Sequence, residues 1–317
     1  MNTPAISVVI PAYNAERTVA ETLDSVLAQS MQDFEIIVVN DGSRDATGAI
    51  LDFYAERHPG KVRVIHQENT GQARARNNGI AAARGRYIAF NDADDIWAPE
   101  KLERQLRFLE DNPEYGLCYT EGMTIDEKGR KKEPFGATRE FTGRCFETLI
   151  TRNNIIGSSV MVRRAVLDDV GVFNPELRAC ENWELWTRIA RKYPIACIDE
   201  KLSFYRQHGG NMSKDIDRMR ENRIAAIQHN RRQYDGVVPN IESLTRNALY
   251  LAYRGFGGVY LGQLELAKAR RDIGRAILLK PWVLRNYLWY LQCLMGPDLL
   301  RALRSLKRRA LAARAGA

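Results

Sequence analysis

The stretch RYIAFNDADDIWAP, residues 86–99, indicates both the fold class and the place of a functional site. Residues Tyr87 to Phe90 form a short apolar run of strand-forming side chains. Three carboxylates follow at once, and Pro99 then suits the first turn of a helix whose buried stripe is Leu102, Leu106 and Leu109. The acidic residues are therefore predicted to lie between a buried strand and a helix, at the sheet edge where α/β proteins bind ligands.

Two of the three acidic residues, Asp92 and Asp94, are separated by a single alanine. In extended chain, side chains two positions apart point the same way, so these carboxylates are predicted to converge while Asp95 points elsewhere. A convergent pair of carboxylates suits a hard divalent cation that bridges phosphate groups. On spacing alone the pattern is equally typical of a solvated acidic turn, so its position at a strand end carries the hypothesis.

Strand and helix patterns alternate through the first hundred residues. Strand-like runs at 6–10, 34–39 and 62–65 precede the run that feeds the acidic loop, and helical patterns lie between them. This order predicts an α/β fold with parallel strands and right-handed crossovers. Beyond residue 117 the predicted elements are strands at 117–120, 122–125 and 158–162, a turn at 126–129, a polar mobile loop at 130–143 and a helix that begins near Glu181.

From about Asp215 the pattern is helical only, with turn signals at 235–236, 239, 257–258, 281 and 296–297. The predicted organisation is a domain at 1–214 with a mixed sheet flanked by helices, followed by an all-helical region at 215–317. Leucines recur at helical spacing from Leu299 to Leu311 with arginines and lysines between them. Such a basic amphipathic helix suits an anionic membrane surface, and equally packing on the first domain or on a second copy of the chain.

Composition excludes several classes of protein. Among the 317 residues, no apolar run reaches the roughly 18 residues of a membrane-spanning helix, and nothing at the N-terminus resembles a signal peptide. Five scattered cysteines without metal-site spacing predict reduced core thiols in a cytoplasmic protein. The net charge of +8 suits nucleic acid, anionic lipid or an anionic substrate, but the absence of an aromatic-interleaved basic patch argues against nucleic acid.

Three further motifs join the acidic loop at the carboxyl edge of the predicted sheet: PAYN at 11–14, VVNDGS at 38–43 and GQARARNNG at 71–79. With these motifs in this order, the chain over about residues 5–213 resembles an inverting family-2 glycosyltransferase with a GT-A fold, of the kind that builds bacterial polysaccharides and cell-surface glycans. The resemblance implies metal-dependent transfer of one sugar, from a UDP-sugar by preference, to a glycan or lipid-linked acceptor. A processive-synthase signature is missing, which favours single-sugar transfer.

The resemblance also implies roles for individual residues. Pro11, Ala12 and Tyr13 would line the nucleobase slot, and Asp41 would accept a hydrogen bond from the base or ribose. A competing interpretation makes Asp41 a helix cap or an Asx-turn residue before the next helix. Arg76, and less clearly Arg74, would lie near the nucleotide, where a guanidinium can bind phosphate or carboxylate in bidentate fashion.

The implied metal ligand is Asp94, supported directly or through water by Asp92, and the implied ion is Mn²⁺ or Mg²⁺. The ion would neutralise the departing diphosphate. His208, in the motif YRQH at 205–208, would contact the diphosphate or the metal, although a lone loop histidine is commonly structural.

The general base is the point at which this chain departs from the family. The family pattern has Glu-Asp before Trp-x-x-Trp, with the Asp as base, whereas this chain reads ENWELW at 181–186. An amide cannot accept the acceptor's proton, so Glu181 is the leading candidate and Glu184 a weaker one, while Asn182 suits a helix cap. Two rival functions remain: a catalytically weak nucleotide-sugar or glycan-binding module, and a nucleotidyltransferase, which would show a basic Gly-rich loop near the first strand.

Overall fold

The computed structural model describes residues 3–136, 139–177, 179–210, 214–302 and 305. Within it the chain divides into two compact units, residues 1–215 and 216–317. The first unit is an α/β structure built on one large mixed sheet, and the second is helical throughout its described part. The predicted fold class, a mixed sheet flanked by helices with a helical C-terminal region, is confirmed.

The N-terminal half of the first unit forms the parallel part of the sheet. Its strands are β1 (Ile6–Ala12), β2 (Phe34–Asp41), β3 (Val62–Gln67) and β4 (Tyr87–Phe90), in the spatial order β3-β2-β1-β4. Its helices are α1 (Val19–Leu27), α2 (Thr47–Arg57) and α3 (Gln72–Ala82). Strands β1 and β2 are buried along their whole length, as parallel strands covered on both faces must be.

The second half of this unit extends the sheet with antiparallel pairings. Its elements are β5 (Ile96–Trp97), α4 (Lys101–Asp111), β6 (Leu117–Ile125), β7 (Lys131–Phe135), α5 (Phe146–Thr151), β8 (Val160–Arg163), α6 (Arg164–Val170), α7 (Glu181–Lys192) and β9 (Ile195–Arg206). Strand β8 runs antiparallel to β4 and β6, and the sheet continues through β6 and β9 to β5. The change from parallel to antiparallel pairing therefore falls directly beside β4, the strand that feeds the acidic loop.

Three local predictions for this unit are wrong. The polar stretch 130–143 is not simply a mobile loop, because Lys131–Phe135 pairs with β6 and residues 139–141 form a 3₁₀ turn. Residues 117–125 form one bulged strand in place of two. Helix α4 begins at Lys101, so Pro99 lies just before its first turn. An exposed strand such as β7 has few apolar side chains, which is why its sequence reads as a loop.

A lysine is buried under this part of the sheet. Lys101 is fully buried, donates a 2.6 Å hydrogen bond to Gln105 Oε1 and lies 3.8 Å from the centre of the Trp97 ring. Burial lowers the pKa of Lys101 to about 7. Between about pH 7 and pH 10 the unfolded chain therefore holds this proton, whereas the folded chain largely does not. The free energy of unfolding is lowest at the lower end of that window and rises with pH through it.

We expect Lys101→Met to remove this dependence on pH. The free energy of unfolding of the wild-type chain should rise by about 2–3 kcal/mol more than that of the variant between pH 7 and pH 9. Urea denaturation of both proteins at the two pH values measures this difference. Equal changes in the two proteins would show that Lys101 is not held neutral by its burial.

The second unit contains four named helices in its described part: α8 (Ile216–Tyr234), α9 (Ile241–Gly262), α10 (Leu266–Leu279) and α11 (Leu284–Gln292). Residues of α9 and α10, together with Cys293 and Leu300, form its apolar core. The predicted turn at 257–258 is wrong, because α9 continues through both glycines. A side chain at 257 would meet Ile273 at 2.7 Å, so Gly257 serves the close packing of α10 and not a turn.

Two further expectations meet the structure here. The five cysteines are free thiols, and Cys118, Cys145 and Cys293 are buried. No helix in the described ranges is long and apolar enough to cross a membrane. The predicted basic helix from Leu299 to Leu311 lies largely outside the described residues, which end with 302 and 305.

Candidate active site

The acidic loop after β4 is a tight turn, not extended chain. The backbone N–H of Asp95 donates to the carbonyl of Asp92 at 3.1 Å. Ser158 braces the turn from β8's side of the sheet, because its Oγ accepts from the Asp92 N–H at 3.1 Å and donates to Asp95 Oδ2 at 2.5 Å. Arg206 completes the brace with a 2.9 Å bond from Nε to the Asp94 carbonyl. The geometry assumed for the D-x-D pair was therefore wrong, and the turn is fixed from two neighbouring strands.

Asp95 is a structural member of this loop. Its side chain is fully buried, and Oδ1 accepts from the backbone N–H of Arg206 at 3.0 Å. Burial, and then the nearby charges of Asp94 and Asp92, raise the pKa of Asp95 well above its ordinary value. The partners of this carboxyl are groups of the protein, the Ser158 hydroxyl and the Arg206 backbone N–H.

Asp92 and Asp94 do face a common space. Each side chain is a quarter exposed, and burial followed by the charge of Asp92 raises the pKa of Asp94. Asp92 accepts through Oδ1 only, from Arg76 and Gln72, and Asp94 Oδ2 is 2.8 Å from His208 Nε2. Among the described residues, Asp92 Oδ2 and Asp94 Oδ1 accept no side-chain hydrogen bond. One oxygen of each carboxylate therefore remains open to a ligand.

Arg76 ties the acidic loop to the start of α7. Its side chain is 1 % exposed, and its guanidinium donates to Asp92 Oδ1 at 2.6 Å, to Glu181 Oε1 at 2.7 Å and to Asn182 Oδ1 at 3.0 Å. Burial disfavours the charge, but the two carboxylates outweigh that cost and raise the pKa of Arg76. Arg76 thus serves carboxylates of the protein, whereas Arg74, two residues earlier, is exposed.

The start of α7 differs from its prediction in one respect. The helix begins at Glu181, and the capping position is occupied by Cys180 in the left-handed conformation, with φ +63°. Asn182 therefore lies in the first turn and its side chain bonds Arg76, so its predicted role as a helix cap is wrong. Glu181 is 5 % exposed and uses only Oε1 for Arg76, and no described residue bonds to its Oε2.

Asp41 anchors the loop that precedes α3. It is 4 % exposed and accepts from Gln67 Nε2 at 2.7 Å, from the Thr70 N–H at 2.9 Å and from the Gly71 N–H at 2.9 Å. The next residue, Gly42, has φ +71°, and a side chain there would meet the Asn69 backbone at 2.7 Å, so only glycine fits. Asp41 is not a cap for α2, and its role toward a nucleotide stays a prediction.

Pro11, Ala12 and Tyr13 lie at the end of β1. Pro11 and Ala12 are buried in the strand, opposite Val39 and Asn40 of β2, and the Tyr13 side chain is 49 % exposed. An exposed aromatic face at a strand end suits stacking on a planar base.

Asp41 binds the Gly71 N–H, and the next residue, Gln72, donates to Asp92 at 3.0 Å. A short hydrogen-bonded path thus joins the loop of Asp41 to the acidic loop.

The donor set fits a hard divalent cation in its chemistry. No group of three or more His, Cys, Asp or Glu side chains in the described ranges already has the arrangement of a metal site. However, Asp92 and Asp94 each present one oxygen without a side-chain partner. Burial and then the charge of Asp92 raise the pKa of Asp94, and a bound cation would favour its ionised form. His208 is hydrogen-bonded through both ring nitrogens, Nε2 to Asp94 Oδ2 at 2.8 Å and Nδ1 from the Gly210 N–H at 3.2 Å, so it supports Asp94, and its contact with the diphosphate or the metal stays a prediction.

Sequence reasoning did not single out Ser158 or Gln72, both of which bond the acidic loop. Each polar side chain lies in a segment recognised for its regular structure. Only the contacts across the sheet show that these side chains belong to the site.

Comparison with known proteins identifies relatives of this architecture. The family model described as glycosyl transferase family 2 matches residues 7–171. An uncharacterized glycosyltransferase of Rickettsia bellii is 34 % identical over 206 residues, which is 65 % of this chain and 29 % of that protein. The chain spans about a third of the length of this and two further Rickettsia relatives.

Two groups of solved structures share the fold. S. aureus TarS 1-349 in complex with UDP superposes with a TM-score of 0.60 at 20 % identity, covering 87 % of this chain and 81 % of that one. The mannosyltransferase PcManGT from Pyrobaculum calidifontis, in complex with GDP-Man and Mn²⁺, gives 0.63 at 18 % identity, covering 92 % and 85 %. At these identities the likeness shows the fold, which is of the GT-A type.

Proposed function

The chain belongs to glycosyl transferase family 2, and from this premise we propose that it transfers a single sugar, with inversion, from a nucleotide-diphosphate sugar to an acceptor hydroxyl. The observation that carries the proposal is the network around Arg76, in which one buried guanidinium holds both Asp92 and Glu181. One carboxylate belongs to the acidic loop suited to a diphosphate's cation, and the other to the start of a helix. An inverting transfer needs both kinds of group beside one reaction centre.

Each group has a part in the proposed reaction. The Tyr13 face and the loop of Asp41 hold the nucleotide. Asp92 and Asp94 would hold Mn²⁺ or Mg²⁺, with His208 hydrogen-bonded to Asp94, and the bound ion would neutralise charge on the leaving diphosphate. The hydroxyl oxygen of the acceptor attacks the anomeric carbon, and Glu181 accepts the hydroxyl proton through Oε2, the oxygen that Arg76 does not bind. Because Arg76 fixes the other oxygen, the carboxylate is oriented before the acceptor arrives.

The donor is a UDP-sugar in this proposal, with a GDP-sugar as the nearest alternative. Structural neighbours of the same fold bind UDP in one case and GDP-Man with Mn²⁺ in another. The acceptor is a glycan or lipid-linked glycan, used in cell-surface polysaccharide or glycoconjugate synthesis at the inner face of the plasma membrane. In this proposal the sugar is selected by the polar segment that contains the exposed strand β7.

A specific observation favours a second candidate, a nucleotide-sugar-binding module with little turnover. Asn182 stands where the family has its catalytic aspartate, and its amide oxygen is used by Arg76 at 3.0 Å. An amide has no basicity with which to accept a proton. If Glu181 cannot replace the missing aspartate, the site binds donor without transferring the sugar.

The deciding experiment is a panel of UDP-, GDP- and dTDP-sugars assayed for binding and turnover with Mn²⁺, Mg²⁺ or EDTA. We expect one donor to bind only with the metal and to release its nucleoside diphosphate. Asp94→Ala should lose the metal-dependent part of the binding, whereas Asp111→Ala, which removes an exposed carboxylate at the end of α4, should keep it. Binding without turnover, even with membrane extract as acceptor, would favour the binding module. Release of pyrophosphate in a parallel assay that supplies a nucleoside triphosphate and a sugar 1-phosphate would indicate a nucleotidyltransferase.

A further inference from the structure

Helix α11 exposes a row of apolar side chains on its outer side. One side packs into the second unit: Asn286 and Cys293 are buried, and Trp289 and Tyr290 pack on its core. The opposite side is apolar and faces outward. At the i, i+4 and i+7 positions, Leu284 is 77 % exposed, Leu288 60 % and Leu291 57 %. A helix of a soluble protein usually turns polar side chains outward, so this outer row needs an explanation.

The outer row continues beyond the helix on both sides. Large exposed apolar side chains occur before it, after it and within it, namely Leu278, Trp282, Tyr287, Leu294, Met295 and Leu299. We call this set, with Leu284, Leu288 and Leu291, the α11 face. In the described part of the first unit, the comparable exposed side chains are scattered at residues 13, 53, 135 and 172. A concentration of this kind marks a surface that is covered by something apolar.

The net charge of the second unit indicates what kind of partner covers the α11 face. Residues 216–317 contain 19 Lys and Arg against seven Asp and Glu, a formal charge of +12, whereas residues 1–215 sum to −4. Around the face itself, residues 266–302 carry seven Lys and Arg and two Asp. Of those two, Asp272 is buried and paired with Arg220, so its charge is already neutralised.

The exposed leucines and the positive charge together distinguish between three candidate partners for the α11 face. A second copy placed on the same face would bring two strongly positive units together, which opposes association. A nucleic acid would meet leucine side chains where it needs polar contacts. An anionic bilayer offers both requirements, an apolar layer for the leucines and negative headgroups for the arginines around them.

We propose that the α11 face is a docking surface for an anionic lipid bilayer. Leu284, Leu288 and Leu291 enter the boundary between headgroups and acyl chains, and Trp282, 70 % exposed before the helix, lies at the headgroup level. Arg285, exposed on the same helix, contacts the lipid phosphates. The proposal concerns the second unit alone and does not depend on sugar transfer.

The test is co-flotation of the full chain with phosphatidylcholine vesicles. These vesicles are prepared with and without about 30 % phosphatidylglycerol, which imitates an anionic leaflet. Wild-type protein should float with the anionic vesicles, and added salt should weaken binding. The variant Leu284→Gln, Leu288→Gln, Leu291→Gln should bind about tenfold to a hundredfold more weakly, since three apolar side chains are lost. Its substitutions are at exposed positions, and circular dichroism checks that the helices persist.

The control is Phe53→Gln with Val237→Gln, two exposed apolar residues that are not members of the α11 face, which should bind like wild type. A second readout uses brominated lipid, which should quench tryptophan fluorescence in wild type and less in Trp282→Phe. Equal flotation of the triple variant and wild type would overturn the proposal. So would equal binding to neutral vesicles, or a dimer that the triple variant makes monomeric while no vesicle binding is seen.

Discussion

Replacing Arg76 with methionine is expected to lower the free energy of unfolding of the first unit by about 3–5 kcal/mol. The guanidinium is the shared partner of Asp92 and Glu181 and is itself buried, so its removal leaves one carboxylate uncompensated in the interior and the other without its anchor. A methionine fills much of the volume but supplies no donor. Urea denaturation followed by tryptophan fluorescence reports this unit, because Trp97, Trp183 and Trp186 are buried in it.

The matched control for this experiment is two residues away on the same helix. Arg74→Met removes the same charge from an exposed position, where substitutions usually change stability by less than about 0.5 kcal/mol. Arg76→Lys is also informative, since a point charge on a flexible stem cannot reproduce a planar fork that reaches three acceptors. Similar stabilities for Arg76→Met and Arg74→Met would mean that the buried network contributes nothing to folding.

The network around Arg76 shows what the sequence could and could not predict. Motif matching predicted Arg76 and Asp92 at the carboxyl edge of the sheet, because Asp92 closely follows a strand and Arg76 lies near the start of a helix. It did not predict their partners. Arg76 and Glu181 are 105 residues apart, and their 2.7 Å contact depends on how α7 packs beside β4. Pairings of that kind arise from tertiary packing, on which local pattern carries no information.

The same limit explains the errors in the fold. Strands β1 and β2 were recognisable because both are buried along their length and each contains an unbroken apolar run, at 8–10 and 36–39. Strand β7 was missed because all five of its residues are exposed, so its sequence shows only polar character. Gly257 and Gly258 were read as a turn because glycine lowers helix propensity. Close packing against Ile273 overrides that propensity in the folded chain.

Glu181→Gln is expected to reduce turnover by a factor of about 10²–10⁴ while leaving donor affinity within about twofold. The substitution keeps the shape of the side chain, and the amide oxygen can still accept the hydrogen bond from Arg76 that Oε1 now receives. The variant loses the capacity to take the acceptor's proton and the negative charge paired with Arg76, which keeps Asp92 as its charged partner. Single-turnover rates at saturating acceptor, together with donor titrations, separate the two quantities.

Glu184→Gln is the matched control, because Glu184 lies one turn away on α7 but has both oxygens bound to Arg188 at 2.7 Å. Its turnover per folded molecule should stay close to wild type. Asn182→Asp then tests the rival position: if Glu181 is the base, adding a carboxylate beside it should change turnover little. A large gain in Asn182→Asp with no loss in Glu181→Gln would instead assign catalysis to position 182. The native chain, with its amide there, would then act as a donor-binding protein.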